Sequence, residues 1–399
     1  MEEIRKPKGL RFLIEEQTEE IKLEEIFEKE SLDRIIWSHK SDTGPVAVVF
    51  AAIHGNEIAG LKASERLLDE LRENSDNLNG SVYIISGNRK AIKEGVRFLD
   101  FDLNRIWGDL GETGKNKPKE ESREWHEAHD ILDTILHIIE EHSAHTDEIS
   151  FVDLHTTSAK SCAFLLFNDT IRNRENAAQF PVPQILGIEE NIHGTLMSYI
   201  NDLGYPAIGF EAGNHFEDAS TDKTEAFLWL YLHHKGIYKL NTSEIAHFEG
   251  RISDSSDVEN RYYEISYHQY LEDASLFNMK SGYYNFDRVQ KGELLAYYEG
   301  EPVVAPEKGL IFMPLYQNKG NDGFFILKAR SSFWLKLSSL FRDSFFNNYL
   351  QYLPGVKLEG DGVFEVNLNV ARFFVKEVFH LLGYRVIKKG KAKLICYKR

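Results

Sequence analysis

Cysteine, proline and long apolar runs are all scarce in this chain, and each scarcity excludes a class of protein. The 399 residues include 2 cysteines, Cys162 and Cys396, and 10 prolines. Two cysteines cannot build a disulfide framework, so we expect a protein of the reducing cytoplasm. No apolar run approaches the roughly 18 residues of a transmembrane helix, and the charged N-terminus lacks the apolar core of a signal peptide. We therefore expect no association with a membrane.

Positive charge is also in deficit, with 47 lysines and arginines against 63 acidic residues and a net charge of −16. Nucleic-acid binding depends on cations that neutralise phosphates, so we expect no nucleic-acid partner. A small anionic substrate stays compatible with this balance, because a few arginines can dominate a cleft. The hydrophobic content of 42% is ample for a globular core. The length exceeds what one core usually holds, so we expect more than one domain.

Strand-like and helix-like patterns alternate through the first sixty per cent of the chain. Apolar runs of strand length are "PVAVVFAAI" (45–53), "GSVYIISG" (80–87), "ISFVDLH" (149–155) and "YPAIGFE" (205–211). Helical periodicities separate these runs. The pattern predicts an α/β fold, with a mixed, mostly parallel sheet covered by helices on both faces. In such sheets the ligand site lies at the carboxyl ends of the strands.

The sequence pattern changes near residue 245, which indicates a further domain boundary. Short alternating strands with Gly and Pro turns, such as "GELLAYYEG", predict a smaller β domain. Beyond it, segments such as "VARFFVKEVFHLLG" look helical. We therefore predict an N-terminal extension over 1–40, an α/β domain with the candidate site over 41–243, a β domain over 244–330 and a C-terminal helical extension over 331–399.

Polar residues capable of metal and acid–base chemistry follow three of the predicted strands. His54 and Glu57 come just after the first strand, His155 ends a later one, and Glu211 ends another. Two imidazoles and one carboxylate make a zinc shell that leaves a fourth position for water, and a nearby carboxylate can move protons. Two plainer interpretations stay open: His155 is a buried histidine bonded near Asp153, or Glu211 only caps a turn.

The polar segment after the second strand supplies cations. Arg97, Asn104 and Arg105 lie there with Asp100 and Asp102, which could hold the two guanidinium groups in place. Arginine suits bidentate recognition of carboxylates, and asparagine adds a directional hydrogen bond. A surface cluster of ion pairs is the alternative interpretation of the segment.

Taken together, these residues resemble the succinylglutamate desuccinylase/aspartoacylase family, a branch of the zinc carboxypeptidase-like hydrolases. The matching motifs are "HGNE" (54–57), "GNRKA" with "VRFLDFDLNR" (87–105), "DLHTT" (153–157) and "GFEAG" (209–213), in that order. The segment from about 245 to 330 is similar to the C-terminal domain of the family, a barrel-sandwich hybrid. Four ordered motifs are much more specific than any one of them.

The resemblance implies a metal centre and a catalytic carboxylate. His54, Glu57 and His155 would be the ligands of one Zn²⁺ per chain. Glu211 would be the general base and then the general acid. The reaction would be hydrolysis of a small N-acyl amino acid, similar to N-succinylglutamate or an N-acyl-aspartate, to a carboxylate and a free amino acid.

The resemblance also assigns the cationic segment. Arg97 would polarise the substrate carbonyl and stabilise its oxyanion, whereas Asn104 and Arg105 would bind the α-carboxylate of the carboxylated substrate. The sequence is compatible with a homo-oligomer.

One departure from the family pattern concerns a further arginine. Aspartoacylases use an arginine just upstream of the catalytic glutamate to bind the acyl or side-chain carboxylate, but residues 193–211 contain none. Arg172 or Arg174 could substitute for it.

Two other functions compete with the deacylase. One is a zinc carboxypeptidase acting on peptide C-termini, and the other is a non-catalytic metabolite-binding protein with a relict site. A β domain that roofs the cleft favours small substrates, and a pure binder has no need of Glu211.

Overall fold

The apolar runs of the sequence form the strands of one large sheet. The computed structural model describes residues 32–110, 122–146, 148–253, 261–317, 320–342, 345–360, 362–371, 375–389 and 392–398. The strands up to residue 214 are β1 (Ile35–His39), β2 (Val46–Ala51), β3 (Ser81–Ser86), β4 (Ile149–Thr157), β5 (Phe164–Phe167), β6 (Gln184–Leu186) and β7 (Ala207–Asn214). The helices among and just after them are α1 (Ala59–Glu73), α2 (Arg89–Glu94), α3 (Arg123–His142), α4 (Ile171–Ala177), α5 (Leu196–Asp202), α6 (Asp218–His234) and α7 (Thr242–Ile252).

Strand β2 illustrates why the sheet is buried on both faces. Its residues alternate between two cores: Ala47 and Val49 face the cluster that contains residues of α1 and α6, while Val48 and Phe50 face the cluster that contains residues of α3 and α5. Successive side chains of a strand point to opposite faces, so a strand that is apolar throughout needs helices on both sides. Each fully buried valine or phenylalanine side chain contributes about 1.5–3 kcal/mol to folding. The predicted layering is confirmed.

The sheet has eleven strands and mixed direction. Further strands are β8 (Tyr262–Tyr270), β9 (Phe277–Met279), β10 (Arg288–Val289), β11 (Leu294–Tyr298), β12 (Glu301–Val304), β13 (Gly309–Phe312) and β14 (Asp322–Arg330). The order is β1-β3-β2-β4-β7-β5-β6-β8-β14-β13-β10, and β9, β11 and β12 form a separate three-stranded sheet. Strands β2, β3, β4 and β7 pair in parallel, whereas β1 and β5 pair antiparallel with their neighbours β3 and β7.

The structure differs from the predicted boundaries in three places. Strand β1, within the predicted extension 1–40, pairs with β3 as an edge strand. The boundary between residues 243 and 244 falls inside helix α7. Strand β8, within the predicted β domain 244–330, pairs in parallel with β6, and β14, β13 and β10 continue the same sheet. Hydrogen bonding to distant strands decides the first and third differences, and local composition carries no signal of it. Helix α7 instead begins at a local capping box formed by Asn241 and Glu244.

The prediction of a helical extension over 331–399 is wrong for most of the described residues. Two short helices, α8 (Ser332–Phe341) and α9 (Val375–Leu381), accompany a four-stranded antiparallel sheet. Its strands are β15 (Val356–Gly360), β16 (Val363–Asn367), β17 (Tyr384–Lys389) and β18 (Lys393–Lys398). In β18, Leu394 and Cys396 are buried while the flanking lysines are exposed. That period of two is a strand pattern, although its lysine content resembles a solvated tail.

Arg342, which directly follows α8, joins this C-terminal part by hydrogen bonds to the segment between β5 and α4. Its Nη1 donates to the backbone oxygen of Asp169 at 2.7 Å, and its Nη2 donates to the Asp169 carboxylate at 2.9 Å. Among the residues that the structure describes, no helix has the length and apolar character needed to cross a bilayer.

Candidate functional site

The turn after β2 places a histidine and a glutamate against helix α2. At Gly55 an added Cβ would lie 2.2 Å from the carbonyl carbon of Ala91, so only glycine permits this close approach. The Gly55 N–H donates to the backbone oxygen of Arg97 at 3.1 Å, and the Glu57 N–H donates to that of His54 at 3.0 Å. The turn thereby holds His54, Glu57 and Arg97 at the same end of the sheet.

His54, Glu57 and His155 come together as a candidate metal centre. One ligand atom from each lies within 4.8 Å of the others, and all three side chains are buried. The Nδ1 atoms of both histidines face the Glu57 carboxylate, at 2.8 Å from Oε1 for His54 and 2.9 Å from Oε2 for His155. Three donors of the kinds that bind zinc therefore converge on one point.

The outer nitrogens of the two imidazoles face carboxylates. Nε2 of His54 lies 3.1 Å from Oδ1 of Asp102, and Nε2 of His155 lies 2.7 Å from Oδ2 of Asp153. A proton on each Nε2 would be donated outward, which leaves the Nδ1 lone pairs directed at Glu57. Metal-binding histidines typically show this arrangement, because the carboxylate fixes the tautomer and the ring orientation.

Electrostatics keeps the Glu57 carboxylate charged. Burial by itself would raise the pKa of Glu57, but the adjacent imidazoles of His54 and His155 hold it well below its usual range. Burial likewise acts to lower the pKa of His155, whereas the negative charges of Asp153 and Glu57 raise it well above its usual range. The cluster is thus built around an ionised carboxylate, the form that binds a cation.

Glu211 lies directly opposite His155 on the neighbouring strand. Strands β4 and β7 pair in parallel with these two residues in register, and both strands continue past them to Thr157 and Asn214. The sequence predicted that His155 and Glu211 end their strands, but both residues lie inside them. The reason is that Thr157 and Asn214 also pair, so the ladder extends beyond the apolar runs.

The carboxyl group of Glu211 is buried, and its Oε2 has no hydrogen-bond partner within the described part of the chain. Burial raises the pKa of Glu211 to about 8, although the charge on His155 opposes that rise. A carboxyl group with a pKa near neutrality can both accept and return a proton, as a general base and acid must.

Arg97 is held by Asp102, as the sequence predicted. Its Nε and Nη2 donate to Oδ2 of Asp102 at 3.2 and 3.0 Å, and its Nη1 donates to Oε1 of Glu57 at 3.4 Å. The other expected partner is wrong, because Asp100 accepts from Arg123 at 2.7 Å instead. Asp100 lies at the surface, where the start of helix α3 is its nearest source of donors.

A buried glutamate fixes the backbone of this arginine segment. Glu124, fully buried in the first turn of α3, accepts from the backbone N–H groups of Leu99, Asp100 and Phe101 at 2.7 to 3.2 Å. It also accepts from the amide of Asn88, which caps α2. Such bonds to a charged acceptor are stronger than neutral ones and hold the loop in one conformation.

Asn104 and Arg105 reach the same cavity, and Arg105 has a partner from far along the chain. Asn104 accepts from the N–H of Leu196 at 2.8 Å, and its amide lies 3.5 Å from Nε2 of His155. Nη2 of Arg105 donates to Oδ2 of Asp322 at 2.7 Å, and Nε2 of His268 lies 2.8 Å from the other oxygen of Asp322. Asp322 and His268 could not be predicted from the sequence, since nothing local connects them to Arg105.

All seven predicted site residues line one cavity of about 110 Å³. These are His54, Glu57, Arg97, Asn104, Arg105, His155 and Glu211. A histidine that the sequence reasoning missed, His215, also lines it and bonds through Nδ1 to Oγ1 of Thr156 at 2.7 Å. Four residues after Glu211 on the strand and turn that deliver it, His215 could have been found from that spacing.

The suggested substitutes for the missing arginine lie elsewhere. Neither Arg172 nor Arg174 is among the described residues that line the cavity. Arg174 binds the Asp169 carboxylate and the backbone oxygen of Leu335, and Arg172 binds the backbone oxygen of Gly204. Both side chains are engaged in contacts outside the site.

Comparisons with known proteins agree with the geometry. Residues 43–233 match the model of the succinylglutamate desuccinylase/aspartoacylase catalytic domain. Succinylglutamate desuccinylases of Yersinia pestis (strain Pestoides F) and Yersinia pseudotuberculosis serotype O:1b are 32% identical over 118 residues, which is 30% of this chain and 33% of each relative. The chain thus matches about a third of the length of these curated relatives.

Solved structures resemble this one over a longer stretch. A succinylglutamate desuccinylase/aspartoacylase from Rhodobacter sphaeroides has a TM-score of 0.53 and 16% identity, covering 74% of this chain and 88% of that one. The product-bound ectoine utilization protein EutE (DoeB) from Ruegeria pomeroyi has a TM-score of 0.51 and 20% identity, covering 73% and 87%. At such identities the likeness shows the fold alone. The family model and the curated relatives add the sequence evidence, and residues 43–233 are similar to the catalytic domain of the succinylglutamate desuccinylase/aspartoacylase family.

Proposed function

We propose that the protein is a metal-dependent hydrolase, with zinc as its metal, that cleaves the amide bond of a small N-acyl amino acid. The products are a carboxylate and a free amino acid. The observation that carries the proposal is the buried convergence of His54, Glu57 and His155, with the unbonded Oε2 of Glu211 in the same cavity.

The donor set fits zinc. Two imidazole Nδ1 atoms and one carboxylate face each other, and the outer Nε2 atoms are held by Asp102 and Asp153. When bound, zinc supplies Lewis-acid chemistry, which acidifies water and polarises a carbonyl group. The fold and these ligand positions support a zinc carboxypeptidase-like centre.

Glu211 handles the proton. Its carboxylate accepts a proton from the attacking water as the water oxygen bonds to the acyl carbon. It then returns that proton to the nitrogen as the carbon–nitrogen bond breaks, so the amine leaves neutral. A single positioned acid–base group of this kind contributes about 10²–10⁴ in rate.

The cations bind and stabilise the substrate. Arg97, fixed by Asp102, stabilises negative charge on the carbonyl oxygen, and removal of one such preorganised donor costs about 10²–10³ in rate. Asn104 and Arg105 bind the α-carboxylate. The guanidinium of Arg105 has five N–H donors, so its bonds to Asp322 and to the Asn104 backbone leave others for the substrate.

The test is amine release from a panel of N-acyl amino acids and dipeptides, with zinc-loaded and chelator-treated protein and with Glu211→Gln. We expect release that requires zinc and falls at least about 100-fold in Glu211→Gln. A matched control, Glu217→Gln, alters a carboxylate of the same region that is not among the described residues lining the cavity.

Other results would redirect the assignment. Preferential cleavage of dipeptides would favour a carboxypeptidase. Binding of the panel members without release, unchanged in Glu211→Gln, would favour a metabolite-binding protein.

A further inference from the structure

The side chains that line the cavity fall into two chemical sets, called here the polar half and the apolar half. The polar half is formed by the metal cluster, Glu211 and the two arginines. The apolar half, here called the apolar wall, is lined by Leu166, Ile188, Ile192, Met313 and Phe325. These five residues come from β5, β14 and two connecting segments, so widely separated parts of the chain build one surface.

The apolar wall is the edge of a packed core. Ile188, Ile192 and Phe325 belong to the buried hydrophobic cluster of β5, β6, β8, β13 and β14, and Leu166 and Met313 pack against it. Within the cluster the ring of Phe325 lies 6.2 Å from that of Phe312. Side chains packed on one side in this way keep their positions, so the wall is a preformed surface.

Leu166 brings the wall next to the catalytic carboxylate. Strands β5 and β7 pair antiparallel, with Leu166 opposite Gly209 and Phe164 opposite Glu211. A Cβ at Gly209 would lie 2.9 Å from Cδ1 of Leu166, so the missing side chain provides the room that this leucine occupies. An apolar side chain therefore lies one strand away from Glu211 and two residues along.

Met313 keeps a long apolar side chain at a position that favours glycine. Its φ of 47° is in the left-handed region, and its N–H is fixed by the side-chain oxygen of Asn285. Such a backbone conformation costs a residue with a Cβ about 1–3 kcal/mol, and it clusters at ligand sites. Met313 lines the cavity, so the strained backbone coincides with a residue that can contact a ligand.

The positive charges of the described lining lie in the polar half and already have partners. Arg97 is paired with Asp102 and Glu57, and Arg105 with Asp322. A second carboxylate of the substrate, placed against the apolar wall, would lose its hydration with no cation among the described lining residues to receive it. Burial of an unpaired charge is far more costly than burial of an apolar group.

We propose that one of the two substituents of the scissile amide, the acyl chain or the amino acid side chain, is an uncharged apolar group that packs on the apolar wall. This inference rests on the proposed hydrolase function and narrows its substrate class. It differs from the expectation of an N-succinylglutamate-like or N-acyl-aspartate-like substrate, which carries a second carboxylate.

The test is a pair of substrate series with the zinc-loaded protein. One series varies the acyl group on a fixed amino acid, from acetyl through butyryl and hexanoyl to succinyl. The other varies the amino acid of an N-acetyl compound among alanine, leucine, methionine, aspartate and glutamate. We expect kcat/KM to rise about fourfold for each buried methylene in one series, which identifies the substituent on the wall.

We expect the charged member of that series to fall at least about tenfold below the apolar member of similar size. A preference for the charged members in both series overturns this inference and leaves the hydrolase standing. Failure to cleave any member overturns the hydrolase function as well. Competitive inhibition by hexanoate and by succinate gives an independent measure of the same preference.

A variant of the wall extends the test. Met313→Lys adds a cation to the wall, and Met313→Gln adds polarity of similar length without charge. We expect only Met313→Lys to raise kcat/KM for charged members relative to apolar ones, by at least about tenfold, because it supplies the missing partner. Equal behaviour of the two variants would count against the proposal, and the wild-type series decides the matter if either variant does not fold.

Discussion

The two halves of the cavity are held by different forces. In the polar half, ion pairs and hydrogen bonds fix the histidines and arginines, such as His54 against Asp102 and His155 against Asp153. In the apolar half, side chains such as Ile188 and Phe325 are fixed by packing within a core. Directional bonds determine where atoms react, whereas packing determines only shape. The comparison indicates that the chemistry of the site is tightly constrained and its selectivity is adjustable.

The largest effect is expected from removing the carboxylate at the centre of the polar half. Glu57→Ala deletes one of the three proposed metal ligands and leaves His54 and His155 without their common partner. Because loss of even an outer-shell group costs about 10–100-fold in metal affinity, we expect more than about 100-fold for a ligand. Elemental analysis after dialysis should find almost no zinc in the variant.

Alanine at the exposed His145 is the matched control and should leave zinc content unchanged. Full zinc occupancy in Glu57→Ala would contradict the assignment of the metal centre.

A smaller effect on metal binding is expected from the carboxylates that contact the outer nitrogens of the histidines. Asp153→Asn keeps the shape at His155 but removes the charge that orients its imidazole, so we expect zinc affinity to fall about 10–100-fold. Competition with a chromogenic chelator measures this change. If the zinc affinity were unaltered, packing alone would orient the imidazole of His155. The polar half would then be held in the same way as the apolar half, which would contradict the comparison.

Asp322 connects the two halves, because it comes from the start of β14 and binds Arg105. We expect Asp322→Asn to raise KM about tenfold with little change in kcat, since Arg105 would lose the contact that positions it. A fall in kcat with an unchanged KM would place Arg105 in the chemical step instead.

Asp322 also makes stability depend on pH. Burial opposes its ionisation, but the positive charge of Arg105 lowers the pKa of Asp322 to about 2, from an ordinary 3.8. The charge therefore stabilises the fold by about 2 kcal/mol above the ordinary pKa, and this is lost as the pH falls through about 2. The difference in unfolding free energy between wild type and Asp322→Asn should shrink between pH 6 and pH 3. A constant difference would argue against the ion pair.

The smallest effect belongs to the apolar half. Ile192→Val removes one methylene from the wall, so we expect a loss of about 0.5–1.5 kcal/mol in stability. For apolar substrates kcat/KM should fall about fourfold. Zinc content should not change, because the contacts of the polar half are intact. A loss of zinc in this variant would show that the wall and the metal centre are not separable.

The features of the fold and site that can be predicted from the sequence are those that depend on residues close together in the chain or on regular strand order. His54 and Glu57 are three residues apart, and His155 and Glu211 lie in apolar strands whose neighbours in the sheet are predictable from α/β topology. The candidate metal cluster can therefore be predicted from the sequence. The Arg105–Asp322 pair joins residues 217 positions apart, and no local pattern encodes it.

The C-terminal strands are not predictable from composition for a related reason. Strand β18 begins and ends with a lysine, so its composition resembles a tail, whereas the alternating burial of Leu394 and Cys396 marks a strand. Phe379 and Leu382, from the segment that looks helical, are buried in the core beneath that sheet. Their burial depends on a surface that only the folded strands create.

The continuous hydrogen-bonded sheet has a dynamic consequence. Strand β4, which carries His155, and strand β14, which carries Phe325, are joined through β7, β5, β6 and β8. Amide protons in such a ladder exchange with solvent only when the ladder opens, so these strands belong to one cooperative unit of slow exchange. We therefore expect the candidate metal cluster and the apolar wall to keep their relative positions, and not to separate as two hinged lobes.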